Sequence, residues 1–139
     1  MIIPIIERLE DQITGLRGRV RGVESLVAAS EQVRALSAFV VFTGEAAGEN
    51  PYGSQIHRQE VRYGFSVILA FPGAGANAQA ALAQSEDLRT QVKQALTGWK
   101  HPDGNKGTRF TGAQVLGLSA GSFLLIGIEF SFDYYLEAA

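Results

Sequence analysis

From Val61 the chain keeps a strict beat of two. Val61, Tyr63, Phe65, Val67, Leu69 and Phe71 are apolar at the odd positions, with Arg62, Gly64 and Ser66 between them. Such alternation specifies a half-buried β-strand and fixes its register, because a slip of one residue would turn the whole apolar set toward water. Fully burying these side chains is worth roughly 9 to 18 kcal/mol gross, most of which conformational entropy offsets. Upstream, at Gln55, His57 and Gln59, the same face turns polar. A strand continuous from Gln55 to Phe71 would span about 56 Å at ~3.3 Å per residue, against a globule about 37 Å across for a chain of this size. It overruns any single core. The expectation is a hairpin from Ala38 to Tyr63 whose polar tip, Gly44 to Arg58, projects from the body as a mobile loop or as an arm that docks on another chain.

A strand with one apolar face needs a cover, and Gln79 to Trp99 supplies it. Ala81, Leu82, Ser85, Leu88, Val92, Ala95, Leu96 and Trp99 recur at spacings of one, three or four and make one stripe on a 3.6-residue period. Gln84, Glu86, Asp87, Arg89 and Lys93 fall elsewhere and face water. The segment PGAGAN, Pro72 to Asn77, joins strand to helix, with Asn77 as the N-cap. It lacks the lysine and Ser/Thr of a P-loop and the three-glycine spacing of a dinucleotide turn, so it reads as a connection. Gly98 ends the helix, Trp99 reads as a core plug, and HPDGNKG, His101 to Gly107, as a turn-rich loop.

The N-terminal MIIPIIERLEDQI has Pro4 in a first helical turn and apolar residues at helical spacing until Gly15. Arg17, Arg19 and Arg21 then alternate as on the exposed side of a strand carrying Val20, which makes either a solvated face or a surface for an acidic partner. Ser25 to Ala35 reads as a short helix with Leu26, Ala29 and Val33 inward, Ala38 to Phe42 as a buried strand, and Thr43 to Ser54 as a glycine-rich loop. The last third reads as a hairpin: Gln114 to Leu118, a turn at Ser119 to Ser122, and a long strand from Phe123 to Leu136. Leu124, Ile126, Ile128, Phe130, Phe132, Tyr134 and Leu136 line one face of that strand. Glu129, Ser131 and Asp133 line the other, with Glu129 and Asp133 read as a carboxylate pair on the order of 7 Å apart, on an exposed or interface face.

Composition narrows the function. The 139 residues suit one domain spanning 1–139, and 12 Lys plus Arg against 14 Asp plus Glu leave a net charge of -2. No broad cationic field exists to neutralise a run of phosphates, so no sequence-specific nucleic-acid partner is expected. The absence of cysteine removes disulfides, thiolate zinc sites and thiol nucleophiles together. The N-terminus lacks the basic n-region and unbroken apolar h-region of a signal peptide, and no apolar run reaches the ~20 residues that span a bilayer, so no membrane partner is expected. No catalytic set, metal-ligand spacing or cofactor motif stands out; a hydrolase would have to combine Glu129 and Asp133 with His57 or His101, which sit in separate segments. Helices inserted among strands joined by short turns imply an α+β domain, an antiparallel-rich sheet with helices packed on one face and a projecting long hairpin.

QALTGWKHP, Gln94 to Pro102, followed by Phe110, Gly112, Ala113, Gln114, Val115 and Leu116 and by the closing strand Glu129 to Leu136, resembles the tail terminator proteins of long-tailed bacteriophages. So do the short first helix, Val40 to Thr43 before a glycine-rich loop, and Gln55 opening the long strand. Gly98, Trp99 and Pro102 are the nearest motif matches, and the segment through Arg34 matches least. The resemblance implies a structural virion protein, not an enzyme, whose copies form a ring, six being the expected number. That ring would sit on the tail tube protein at the head-proximal end, stop polymerisation, and meet the head-tail connector, with DNA passing through its lumen after assembly in the host cytoplasm. It also implies that interface residues come from Arg17, Arg19 and Arg21, from the projecting hairpin (Glu45, Glu49, Tyr52, Gln55, His57, Arg58) and from Glu129 and Asp133. A head-tail joining protein or a tube subunit shares the same small design.

Overall fold

The computed structural model describes residues 1–32, 35–48, 58–72, 78–118 and 123–137. In chain order they form α1 (Ile2–Gln12), a 3₁₀ turn (Thr14–Leu16), β1 (Val20–Val23), α2 (Leu26–Gln32), β2 (Ser37–Ala47), β3 (Arg58–Phe71), α3 (Ala78–Leu96), β4 (Arg109–Leu118) and β5 (Leu124–Glu137). The sheet order is β1-β2-β3-β5-β4. Only β1 and β2 are parallel, joined through α2, and every other pair is antiparallel. This is the expected α+β domain.

All six odd positions of β3, from Val61 to Phe71, are buried. Ile5, Leu9 and Ile13 of the first segment and Ala81, Val92, Ala95 and Leu96 of α3 close over them, together with Phe130 and Phe132 of β5. Phe65 stacks on Phe130 with ring centroids 5.5 Å apart. Leu82, expected in the stripe of α3, is exposed, whereas Ser85 is fully buried as expected, its hydroxyl donating to the Leu82 carbonyl. Gly98, at φ 80°, takes the left-handed conformation that stops a helix. Trp99 packs on the core only partly buried, its ring beside the Arg8 guanidinium.

Two elements depart from expectation. α1 and α3 share one face of the sheet, but α2 lies on the opposite one, where Ala29 packs on Phe39, Val41, Ile68 and Ala70. Leu26 therefore points outward, 40% exposed, and Val33 falls outside the described residues. The second departure is strand length. Thr43 to Ala47, expected as loop, continues β2, and Arg109 to Ala113 is strand, so β4 starts five residues before Gln114. The reason is a bulge in each. In β2 the register shifts between Phe42 and Gly44, with Gly44 at φ 146°. A Cβ on Gly64 opposite would stand 2.8 Å from the Thr43 hydroxyl and 3.3 Å from the Gly44 carbonyl oxygen, so the bare glycine lets the strands cross closely.

The hairpin is also braced. β5 follows β3 along its full length, from Phe71↔Leu124 to Arg58↔Glu137. Beyond Phe132 the helix cover runs out: Leu136, on the core side of the strand, is 52% exposed. What extends past the helices is thus three strands wide, not a two-stranded arm. The expected N-cap Asn77, the turn Ser119–Ser122 and the hairpin tip 49–57 fall outside the described residues.

Candidate functional site

The outer face of the sheet, away from α1 and α3, carries Glu129 and Asp133, while Glu45, paired in register with Tyr63, belongs to the helix side. Asp133 is buried, 3% exposed, and is an internal ion-pair centre, not part of an exposed carboxylate pair. Arg109, at the start of β4, reaches across β5 and grips it with two bonds, Nη1 to Oδ2 at 3.1 Å and Nη2 to Oδ1 at 2.9 Å. Arg62 of β3 adds a longer contact of 3.5 Å from the other side. The Arg109 guanidinium holds the Asp133 carboxyl below its ordinary 3.8, against an opposing push from burial. Glu129 lies four residues away along β5, about 13 Å at ~3.3 Å per residue, so the two carboxylates do not converge. Glu129 is exposed on the same face, opposite Gly112 of the edge strand.

Along the extension, Glu45 accepts a bond from the Tyr134 hydroxyl at 3.0 Å. Arg58 pairs with Glu137 at 3.1 Å and lies over the Tyr135 ring. Glu49, Tyr52, Gln55 and His57 fall outside the described residues. Glu45, Arg62, Arg109, Thr111 and Glu129 line an open cleft over the Gly44–Gly64 crossing.

The arginine run does not alternate as a strand throughout. Arg17 caps the 3₁₀ turn, Gly18 turns at φ 71°, and only Arg21 is inside β1. All three are exposed, and Arg19 donates to the Leu36 carbonyl at 3.1 Å. Val20 is buried as expected.

His101 lies on the other side of the sheet from Glu129 and Asp133. Its ring stacks on Phe132, centroids 4.3 Å apart, with no exposure to water. Nδ1 accepts the Asp103 N–H at 3.0 Å, which places the ring proton on Nε2, where it is donated to the Met1 carbonyl at 2.7 Å. The imidazole thus ties the chain's first residue to the loop after α3. A histidine-carboxylate hydrolase is not assembled among the described residues, nor do three His, Asp or Glu side chains gather there as for a metal ion. No helix of the described residues is long and apolar enough to cross a membrane.

Sequence reasoning missed Arg109 and Gly112 as parts of this face. The signal was the strand start: placing β4 at Arg109 puts Arg109 beside Ser131 and Gly112 beside Glu129.

What fold and face define together is an α+β structural domain with a salt-bridged polar outer surface and two free sheet edges. The sequence profile of the phage tail terminator protein family matches residues 2–139, and the chain belongs to that family. It is a structural protein of the phage tail and a component of the virion. No curated protein matches the chain.

Proposed function

We propose that copies of this protein form a closed ring, six being the expected number, on the head-proximal end of the tail tube. The ring stops tube polymerisation and presents its free surface to the head-tail connector, with DNA passing through the lumen after assembly in the host cytoplasm. The observation that carries this reading is the family match over residues 2–139. The geometry supports it: the two sheet edges, β1 and β4, lie at opposite ends of the strand order, as head-to-tail association around a ring requires. The three-stranded extension supplies a polar surface for the tube or the connector.

The closest alternative is another ring-forming neck or tail component, a head-tail joining protein or a tube subunit. Electron microscopy of the purified protein separates them. Single short rings of one diameter are the expected result. Long tubes would make it a tube subunit, and isolated monomers at every concentration would overturn the ring.

A further inference from the structure

The two sheet edges match each other. β1 is four residues long, Val20–Val23. β4 is bulged between Phe110 and Gly112 and again between Val115 and Gly117, which leaves Gly112–Val115 as its regular stretch, the same length. Bulges blunt an edge against pairing, so the rest of β4 is protected and this stretch is left open.

The two sides of each edge also correspond. On the helix side of β4, Val115 is 57% exposed, and Phe110 is 42% exposed with the Lys93 ammonium of α3 over its ring. On the helix side of β1, Gly22 has no side chain and Ile2 and Ile6 of α1 lean into its place, the Ile2 methyl 3.0 Å from where a Cβ would stand. On the outer face the signs are opposite. Arg21 pairs in register with Phe39, an outer-face residue, and is exposed with no ion pair among the described residues. Glu129 is exposed one strand in from the β4 edge, and Gly112 beside it carries no side chain that would screen its carboxylate. Two strand spacings of about 4.8 Å would set β1 of a neighbour roughly 10 Å from β5, within the joint reach of an arginine and a glutamate.

We propose that β1 of one copy pairs antiparallel with Gly112–Val115 of the next, Val20 beside Val115 and Val23 beside Gly112, so that the sheet continues from copy to copy with its helix sides matched and Arg21, beside Gln114, reaches diagonally to Glu129 past the bare Gly112. Val115 then packs on Ile2 and Ile6 of the neighbouring α1. This rests on the ring reading above and names the surfaces that make it.

Sedimentation velocity over a concentration series tests it with the full chain, Arg21→Glu, Glu129→Arg, the double reversal and Val115→Asp, each checked for native circular dichroism. Either single reversal, and Val115→Asp, is expected to raise the half-assembly concentration by about tenfold or more, since like charges brought together at an interface repel. The double reversal is expected to return it to within about threefold of the unaltered protein. Single variants that assemble like the unaltered protein overturn this interface and leave the ring standing, and so does a double variant that is not rescued. An unaltered protein that stays monomeric throughout overturns the ring itself.

Discussion

Phe65→Asp is expected to abolish folding. The ring is fully buried, stacked on Phe130 and within 6.4 Å of both Phe132 and Tyr63, centroid to centroid. Removing it costs about 3–5 kcal/mol, and placing a carboxylate in the same apolar site adds several more. Together these reach the roughly 5–15 kcal/mol that hold a domain of this kind together. Circular dichroism and urea titration read the result directly: no cooperative transition for the aspartate variant. Phe65→Leu keeps an apolar side chain and should still unfold cooperatively, weakened by on the order of 1–2 kcal/mol. A cooperative transition in Phe65→Asp near that of the unaltered protein would show that the paired aromatic faces of β3 and β5 are not the core's centre.

The second large effect belongs to His101. His101→Ala removes a ring sandwiched against Phe132 and leaves the Met1 carbonyl and the Asp103 N–H without their partner. The cavity and the unsatisfied groups together should cost about 3–5 kcal/mol, measured by denaturant unfolding near pH 7.5. The same residue gives the domain an acid-sensitive joint. Burial lowers the His101 pKa below its ordinary 6.5, outweighing the Met1 hydrogen bond and the nearby Asp103 carboxylate, which pull the other way. The unfolded chain therefore takes up a proton at a pH where the folded one does not. Stability from this group is complete above about 6.5 and falls as the pH drops from there toward the folded value. The slope is at most about 1.4 kcal/mol per pH unit, and His101→Ala should lose that share of it. Asp133 acts in a separate window: its lowered pKa stabilises the fold above the ordinary 3.8 and that contribution fades as the pH falls below it. An unchanged pH slope in His101→Ala would contradict the buried neutral imidazole.

Much of the fold is written in local periodicity. The alternation of β3 and β5 and the stripe of α3 state their own faces, because side-chain direction repeats every two or 3.6 residues whatever the rest of the chain does. Glycine is where this reading slipped. Gly44 looks like a loop residue and Gly112 lies ahead of the strand read from Gln114, yet each sits at a bulge inside a strand, where the register shifts and pairing resumes beyond it. Taking Gly44 as loop and starting the edge strand at Gln114 shortened β2 and β4 and hid the three-stranded character of the extension. The placement of α2 was readable in part. Ile68 and Ala70 are apolar at the even positions of β3, which signals that its second face is covered near that end. Asp133 was the hardest case, since alternation puts it on the outer face but cannot show that Arg109 from a neighbouring strand lies across it. That ion pair depends on β4 register, which a single sequence leaves open.

The family was legible through the motifs around Gly98, Trp99 and Pro102, and these residues serve structure. Gly98 donates its N–H to the Thr108 carbonyl at 2.8 Å, and Thr108 returns bonds to the Trp99 carbonyl, so the pair closes the loop that leads from α3 into the edge strand. If the protein caps the tube as proposed, residues that shape the edge strand contribute to function through the fold.

The length of tail tubes grown in the presence of this protein bears most directly on that account. Tube subunits polymerised from an initiating complex, with and without the purified protein, would be measured by electron microscopy. Growth is expected to halt once a ring caps the free end, giving shorter tubes whose length no longer increases with time. Tubes that keep elongating, uncapped, at saturating protein would contradict it.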